Sequence, residues 1–324
     1  MTRRELIALL ASTAAVSWPG VARASMRMIG FMGSGAGAAQ RRWTALVMQR
    51  LRELGWAEGR NVAIEYRWAD GRSERFAEIA AEFVRQNVDL ILTHNPLPTL
   101  AAKQATSTIP IVFATVGDPV GNGLVASLAH PGDNITGLSA HTPDAAGKRL
   151  ELLREIIPSL RRLAVMGDAN SPVSKSDVRE VEEAARNAAV ELIAVDVSQE
   201  PDVERTIEAV KGRAQALYVT PSPTIFVNRN RINTLALAAR LPTMHSAWEY
   251  VDTTGLMSYG PNWSDMWRRA ADLVDTVLRR ARLAADIAVE QSTKFDLVVN
   301  LTTAKALRLA IAPALLARAD EVIE

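Results

Sequence analysis

The chain has 324 residues, with 37 Lys and Arg against 36 Asp and Glu, and no Cys. This balance of charge, without any basic run, argues against nucleic acid as a partner, because binding to a phosphate backbone needs clustered positive charge. The lack of Cys excludes disulfides and thiolate metal ligands, so burial of an apolar core must supply the stability of the fold.

Residues 1–24 have the pattern of a secretory signal peptide. A basic start at Arg3 and Arg4 precedes an apolar segment from Leu6 to Val16, and Ala22-Arg23-Ala24 forms a small-x-small cleavage site. The apolar segment is shorter than the roughly 20 residues that span a bilayer, and no later segment is long and uncharged enough. We therefore expect cleavage after Ala24 and an exported protein that is not embedded in a membrane. The Arg pair leaves open whether export uses the general or the twin-arginine route.

The absence of Cys also bears on location. A mature chain without Cys has no lipid-modified N-terminal residue to anchor it. An exported protein without an anchor would diffuse away from a cell that lacks an outer membrane. The sequence therefore favours a free periplasmic protein.

From Met26 onward, short β-branched or apolar runs alternate with longer helical patterns. The predicted strands are 27–32, 62–68, 89–93, 110–115, 135–138, 162–166, 191–197, 216–219, 242–245, 256–259 and 295–299. In the first predicted helix, Trp43, Leu46, Val47 and Leu51 fall on one face, as in a helix that packs on a sheet. This alternation predicts an α/β fold of βαβ units with parallel sheets.

The alternation of strand and helix begins a second time at Arg162, after a long predicted helix from Ala145 to Ile157 that Pro158 ends. We therefore predict two similar lobes, joined by short crossovers because no low-complexity linker separates them. Open α/β sheets bind ligands beyond the carboxyl ends of their strands. The binding site is thus expected in a cleft between the lobes.

The segment IGFMGSGAGAAQ, residues 29–40, raises the question of a bound dinucleotide. Its Gly33-x-Gly35-x-x-Ala38 spacing meets the permissive form of a pyrophosphate-binding strand–turn–helix. Such a site places an acid about 20 residues beyond the glycines to bind the ribose, whereas the acid that ends the second strand here is Asp70, much further along. A dinucleotide-dependent oxidoreductase is kept as an alternative. We favour a tight turn that a ligand or the opposite lobe approaches, and expect no cofactor.

Polar loops follow most of the predicted strands, and nearly all combine hydroxyl or amide side chains with Gly or Pro. N-capping of the next helix explains any one of them, but their recurrence favours a shared polar cleft. In the first lobe the candidate ligand contacts are Ser34, Asn95, Thr99 and Asp118. In the second lobe they are Ser139 or Thr142 near the crossover, Asn170, Ser171 and Thr220, with Trp248 and Glu249 at the returning hinge and Tyr259 beyond it.

Several of these candidates have a structural alternative. Asp118 precedes Pro119 and could simply close a turn. Trp248 is either a stacking wall for an aromatic or apolar solute or ordinary packing at a crossover. Glu249 either pairs with a ligand amine or is a solvated carboxylate. Trp263 and Trp267, at i and i+4 of a helix, are expected in the core or on a patch facing a partner.

Sequence motifs for hydrolytic or metal chemistry are missing. The four His residues, His94, His130, His141 and His245, have no metal-ligand spacing, and no Gly-x-Ser-x-Gly elbow occurs. We therefore expect no metal site and no enzyme. For His94 and His141, which lie in predicted cleft loops, we expect a hydrogen-bonding or structural role.

Eight stretches form an ordered series along the chain: RRELIALL, IGFMGS, GRNVAIEYRWADGRSERF, IPIVFATVGDPVGNGLVASLAHPGDNITGLS, KRLELLREIIP, GLMSYGPN, QSTKFDLVVNLTTAKALRL and LLARADEVIE. Together they resemble the ABC-transporter substrate-binding proteins of the family that includes tryptophan-binding proteins. The resemblance implies two Rossmann-like lobes in the type I periplasmic-binding arrangement, which hold one small solute and deliver it to an ABC permease in the inner membrane. In that arrangement the first lobe is expected at 25–140 plus 250–283, and the second at 141–249 plus 284–324.

The expected ligand is an amino acid or another small polar or aromatic molecule. The loops offer hydroxyls, amides, one or two carboxylates and aromatic walls, but no clearly placed Arg or Lys. We expect a monomer. A periplasmic sensor domain stays open as an alternative, because transport and sensing both need only a closed-lobe surface that a partner reads.

Overall fold

The computed structural model describes residues 26–140, 145–251, 254–280 and 284–324; the expected signal peptide lies outside these ranges. The first part of the chain contains β1 (Arg27–Gly33), α1 (Gly37–Glu53), β2 (Val62–Trp68), α2 (Arg75–Arg85), β3 (Leu90–Thr93), α3 (Pro96–Ala105), β4 (Ile111–Val116) and β5 (Ile135–Ser139). The second part contains α4 (Ala145–Ile156), β6 (Arg162–Gly167), α5 (Pro172–Asn187), β7 (Glu191–Asp196), α6 (Asp202–Val210), β8 (Ala216–Val219), α7 (Pro223–Ala238), β9 (Thr243–His245), a 3-10 helix Trp248–Tyr250 and β10 (Met257–Pro261). The last part contains α8 (Trp263–Arg280), a 3-10 helix Ala284–Asp286, β11 (Glu290–Gln291), β12 (Phe295–Asn300), α9 (Leu301–Leu307), α10 (Pro313–Leu316) and β13 (Glu321–Ile323).

Every strand predicted from the sequence is present, with its ends within two residues of the prediction. The helix predicted from Ala145 is α4. The prediction missed β11 and β13, which are too short to show an alternating pattern.

The first sheet has the strand order β11-β5-β4-β3-β1-β2, and each of its strand pairs is parallel. Helices α1 and α8 cover one face, where the predicted apolar side of α1 packs with Trp267 of α8. Helix α2 contributes Phe76 and Phe83 to the core on the opposite face. We call this sheet and its helices the first lobe.

The second sheet has the strand order β13-β12-β10-β9-β8-β6-β7. Its strand pairs are parallel, except that β12 runs antiparallel to β10. Helices α4 and α5 cover one face and α6 and α7 the other, each with its own apolar core. This sheet and its helices form the second lobe.

Sheet membership places the crossovers differently from the sequence expectation. Strand β10, expected within 250–283 of the first lobe, pairs with β9 in the second sheet. Strand β11, expected within the second lobe, pairs with β5 in the first sheet. The chain therefore passes between the sheets after β5, after β10 and after β11. The second passage is short because Pro261 ends β10 and Trp263 begins α8.

Parallel strands bring their following loops to one edge of each sheet. The loops after β1, β3, β4 and β5 meet at the edge of the first sheet, and those after β6, β8 and β9 at the edge of the second. We call these two edges the cleft edges. Within the described ranges, no helix combines the length and the apolar character that a membrane crossing needs.

Candidate functional site

The glycines of residues 29–40 make room for a tryptophan. Trp68 ends β2, and a Cβ atom added at Gly33 would lie 2.2 Å from its Cε3 atom. A Cβ at Gly37 would lie 2.9 Å from Trp68 Cε2, whereas one at Gly35 would meet only Gln40 Nε2, at 3.5 Å. The Trp68 ring thus excludes a side chain at Gly33 and at Gly37. This packing accounts for these two glycines without a bound phosphate.

The acid beyond this motif is also engaged. Asp70 Oδ2 accepts a hydrogen bond of 2.9 Å from Arg75 Nη1. A ribose-binding carboxylate would instead point toward the glycine loop. The arrangement therefore offers no argument for a dinucleotide.

Ser34, Gln40, His94 and Asn95 form a polar cluster at the cleft edge of the first lobe. Ser34 Oγ accepts hydrogen bonds from Asn95 Nδ2 at 3.2 Å and from Gln40 Nε2 at 3.3 Å. His94 Nε2 lies 3.1 Å from Gln40 Oε1. Burial lowers the pKa of His94 to about 4, against a smaller opposing effect of the Asn95 side chain, so the ring is neutral at pH 7. The cluster is a set of uncharged hydrogen-bonding groups drawn from the loops after β1 and β3 and from the first turn of α1.

Asn95 has an unusual backbone conformation. Its φ is 64° and its ψ is 156°, a region that only glycine enters readily. The conformation is held by Pro96 at the start of α3 and by a hydrogen bond of 2.8 Å from Asn95 N to Thr115 O. Backbone strain of this kind clusters at ligand-binding positions and is of the order of 1–3 kcal/mol. Asn95 is therefore the best-supported candidate of the first lobe.

The other first-lobe candidates and Ser139 bond to nearby backbone. The Thr99 hydroxyl donates to Asn95 O at 2.6 Å, within its own helix. Asp118 Oδ1 accepts from Gly121 N at 2.8 Å, which is the turn-closing role that the sequence left open. Ser139 is buried and donates to Gly117 O at 3.4 Å. The structure does not bring these three side chains into the cluster around Ser34.

Hydroxyl groups at the cleft edge of the second lobe serve the fold. Ser171 caps α5 by accepting a hydrogen bond of 3.3 Å from Ser174 N. The fully buried Thr220 donates to Met166 O at 3.0 Å, and its hydroxyl lies 2.6 Å from Ser174 Oγ. Asn170 differs, because it is exposed and the hydrogen bond of 2.9 Å that it donates to Asp168 Oδ1 comes from its backbone N–H. Its side chain stands at the cleft edge. Thr142 and His141 lie outside the described residues.

The aromatic candidates separate into two groups. Trp248 begins the 3-10 helix after β9, is half-buried, and lies 4.8 Å from the guanidinium carbon of Arg42, a residue of the first lobe. Neighbouring Glu249 is half-buried, and its carbonyl oxygen accepts from Arg229. Tyr259 instead stacks on Phe295 within the second lobe, with ring centroids 5.4 Å apart. Only Trp248 of this group is seen to reach the opposite lobe among the described residues.

A buried polar network on α4, α5 and β8 was not predicted from the sequence. Arg149 Nη1 donates to Asp177 Oδ1 at 3.0 Å and to Tyr218 Oη at 2.6 Å, and Arg149 Nε donates to Tyr259 O at 2.7 Å. Burial alone would lower the pKa of Arg149, but its neighbours Tyr218 and Asp177 raise it above the ordinary value. The signal was present, because Arg149 lies four residues from Ala145 and from Leu153 on the apolar face of α4.

No metal centre is apparent in the described part of the chain, where no three His, Asp or Glu side chains are grouped closely enough to hold an ion. His245, like His94, is fully buried, and burial lowers its pKa to about 3. Its Nε2 atom lies 2.9 Å from Asn233 Oδ1. Both rings are therefore neutral structural or hydrogen-bonding groups near neutral pH.

Comparison with known proteins gives the same picture over almost the entire described chain. Residues 41–323 match the family described as ABC transporter substrate binding protein. A tyrosine-binding protein of Clostridioides difficile (strain R20291) is 27% identical over 260 residues, which are 80% of this chain and 74% of that protein.

Solved structures share the fold. A conserved domain protein of Vibrio cholerae is 27% identical, with a TM-score of 0.81 over 92% of this chain and 99% of that one. A Streptococcus pneumoniae domain in complex with L-Trp has a TM-score of 0.82 at 23% identity, over 92% of this chain and 100% of that one. The leucine-binding protein LivK of Thermotoga maritima has a TM-score of 0.60 at 14% identity, over 81% of this chain and 85% of that one.

These likenesses confirm the expected fold, two Rossmann-like lobes in the type I periplasmic-binding arrangement with the ligand cleft between them. They favour capture of a solute over the sensor and oxidoreductase alternatives, for which they give no support. The chain belongs to the ABC transporter substrate-binding proteins, the components that capture a solute for an ABC transporter.

Proposed function

We propose that this protein carries an amino acid with an aromatic or other apolar side chain to a permease in the inner membrane. The observation that carries the proposal is the 27% identity to a tyrosine-binding protein over 80% of this chain. The cleft edges fit such a ligand, because they combine uncharged hydrogen-bonding groups in the first lobe with the indole of Trp248 in the second.

The position that we propose for the ligand carboxylate is at the first lobe. Helix α1 follows Ala36 and α3 follows Asn95, and neither residue caps its helix with a side chain. In the second lobe, Ser171 and Ser222 cap α5 and α7. Uncapped helix starts leave backbone N–H groups and positive partial charge for an anion. The contrast supports a carboxylate position near the start of α1.

The direct contacts proposed are Ser34 and Asn95 from the first lobe and Asn170 and Trp248 from the second. An indole face offers a stacking surface for an aromatic or apolar side chain. The remaining candidates support the loops: Thr99, Asp118, Ser139, Ser171 and Thr220 bond to nearby backbone.

The protein acts as a carrier and not as an enzyme. Release to a permease needs reversible binding, and a ligand favours the closed form only through its differential affinity for the two forms. Contacts from both lobes provide this difference. We also propose a periplasmic monomer, exported by a signal peptide cleaved after Ala24, with the first lobe at 26–139 plus 262–291 and the second at 145–261 plus 292–324.

Thermal unfolding of the mature chain, residues 25–324, tests the ligand class after partial unfolding has removed carried-over ligand. L-Tyr, L-Trp, L-Phe, L-Leu, glucose, adenosine and NAD are compared. A ligand at 100 times its dissociation constant adds about 2.7 kcal/mol of stability. We expect an aromatic amino acid to raise the melting temperature, and Asn95→Ala or Trp248→Ala to remove this rise.

Asn187→Ala is the matched control, because this exposed amide ends α5 far from the cleft edge. It should leave the rise intact. A rise with glucose, adenosine or NAD alone would refute the proposed ligand class. A rise that survives Asn95→Ala and Trp248→Ala would refute the proposed contacts.

A further inference from the structure

Arg42 of α1 lies between two indole rings that belong to different lobes. Its guanidinium carbon is 5.2 Å from the ring centroid of Trp43 and 4.8 Å from that of Trp248. Both distances are within the range in which a cation is attracted to the face of an aromatic ring. Arg42 thus contacts the second lobe while its backbone is fixed in the first.

The first-lobe side of this contact is rigid. Trp43 stacks on Trp267, with ring centroids 6.1 Å apart and an angle of 13° between the planes, and it also lies 6.0 Å from Trp263. Trp267 is only 1% exposed and belongs to the core between α1 and α8. Arg42 therefore extends from a fixed aromatic platform.

The second-lobe side is held equally well. Trp248 belongs to a 3-10 helix whose last residue, Tyr250, is buried and stacks on His245 at 5.4 Å. Arg229 of α7 donates to Glu249 O at 3.0 Å and fixes the same turn from outside. The position of Trp248 is therefore set by the core of the second lobe.

The charge of Arg42 is directed at the rings. Among the described residues no carboxylate forms an ion pair with it, whereas Arg50, two turns further along α1, pairs with Glu53 and Asp272. A second close approach of the lobes occurs where a Cβ added at Gly117 would lie 3.4 Å from Val173 Cγ2. That approach joins a glycine to an aliphatic side chain, whereas the contact of Arg42 with Trp248 brings a cation to an aromatic ring.

We infer that Arg42 and Trp248 form an inter-lobe clasp that stabilises the closed form of this protein before any ligand binds. Arg42 acts on the lobes and does not touch the ligand, whereas Trp248 holds Arg42 and also belongs to the proposed ligand contacts. The clasp rests on the proposed function only in its effect on affinity. If the closed form is already stabilised, less of the binding free energy of the ligand is used to close the lobes. The clasp therefore raises affinity for every solute that the cleft accepts.

The absence of Cys makes a direct test possible. The exposed residues Ser73 and Gln199, which follow β2 and β7 at the outer strands of the two sheets, are changed to Cys and spin-labelled. Pulsed electron paramagnetic resonance then gives the inter-lobe distance in the ligand-free protein. Arg42→Gln and Trp248→Leu should each shift the distribution to longer distances, and the double variant should shift it no further.

Two further variants sharpen the test. Arg41→Gln removes the neighbouring exposed cation, which has no ring contact among the described residues, and should leave the distances unchanged. Arg42→Lys keeps the charge and should shift them less than Arg42→Gln. Unchanged distances in Arg42→Gln would overturn the clasp, and so would an equal shift in Arg41→Gln.

Affinity for L-Tyr separates the clasp from the proposed function. Arg42→Gln should weaken binding by about two- to fivefold, the range of an exposed cation–π contact, and should do so through faster dissociation. Weaker binding with unchanged ligand-free distances would make Arg42 a ligand contact and overturn the clasp. If the unaltered protein binds no amino acid, the proposed function fails, whereas the distance measurement still decides the clasp.

Discussion

The cleft edges of the two lobes contain similar residues, but their side chains make different kinds of hydrogen bond. In the second lobe, Ser171 and Ser222 cap their helices and Thr220 bonds to buried backbone. In the first lobe, α1 and α3 begin without side-chain caps, while Ser34 and Asn95 bond to each other across two loops. Side chains thus complete the helix starts of α5 and α7, whereas the backbone donors at the start of α1 have no side-chain cap.

This difference shows what a hydroxyl or amide after a strand means. Where the side chain caps the helix, the hydrogen-bonding demand of the helix start is met within the chain. Where it does not, the demand is met by solvent or by a ligand. Four changes test this contrast, taken from the largest expected effect to the smallest. They ask whether polar side chains at the second lobe stabilise the fold and whether those at the first lobe bind the ligand.

Replacing Arg149 tests the structural role of polar groups in the second lobe. Arg149→Met leaves Asp177 as a buried carboxylate without its cation, and such a loss destabilises by about 3–5 kcal/mol. Urea unfolding measures the change. The adjacent Lys148 forms a solvent-exposed ion pair with Glu151, so Lys148→Met should change the free energy of unfolding by less than about 1 kcal/mol. An equal free energy of unfolding for the two variants would show that the buried Arg149 network does not stabilise the second lobe.

A titration tests whether the cluster of the first lobe is uncharged. The pKa of His94 is lowered from 6.5 to about 4, so between these values the unfolded chain binds a proton that the folded chain does not. The free energy of unfolding therefore has its full contribution from the neutral ring above pH 6.5. As the pH falls to 4, this contribution decreases by on the order of 3 kcal/mol.

The variant His94→Gln can still hydrogen-bond but does not titrate. Its free energy of unfolding, compared with that of the unaltered protein between pH 7.5 and 4, should lack this part of the decline. His130→Gln, at an exposed position, should keep the whole decline. A pH dependence shared by all three proteins would show that His94 is not the group responsible.

The glycine loop tests whether packing or binding selects small residues in the first lobe. In Gly33→Ala the new Cβ atom would lie 2.2 Å from the Trp68 ring, and overpacking of this kind destabilises by about 1–3 kcal/mol. In Gly35→Ala the nearest atom is Gln40 Nε2 at 3.5 Å, so we expect a change within about 0.5 kcal/mol. Calorimetric melting of both variants gives the comparison, and a larger loss for Gly35→Ala would assign the motif to something other than Trp68.

Replacing Asn95 is expected to change the stability least, and it is the most specific test of a ligand contact. Asn95→Gly relieves the strained backbone and should stabilise the fold by about 1 kcal/mol, but it also removes the amide that bonds to Ser34. The melting temperature should rise while affinity for L-Tyr falls. Asn87→Gly relaxes another residue of positive φ, at the end of α2, and should leave binding unaltered. Higher stability with unchanged binding would remove Asn95 from the site.

The sequence predicted the fold well because its signals are local. Strand runs such as 62–68 and the apolar face of α1 are visible within a few residues, and both are confirmed. The order of pairing is not local. Nothing near Met257 indicates that β10 joins the second sheet, because its partner β9 lies beyond a turn and its other partner β12 beyond α8.

The site was predicted less completely for the same reason. Gly33 and Trp68 are far apart in sequence, so a motif read within residues 29–40 suggested a phosphate where the structure has an indole. The described candidate loops do follow the predicted strands, but whether a hydroxyl caps its helix or stays available depends on the rotamer of that one side chain. Contacts between lobes, such as that of Arg42 with Trp248, depend on how the two lobes are arranged relative to each other.

The long helix α8 has a consequence for the order in which the molecule can be assembled. It packs on α1, and the hydrogen bond of 2.8 Å between Arg50 and Asp272 joins residues 222 positions apart. The first lobe to leave the ribosome thus lacks part of its own core, including Trp267, until residues 263–280 have been made. Early segments of the chain therefore have no finished structure to adopt, and formation of the first lobe waits for almost the end of synthesis.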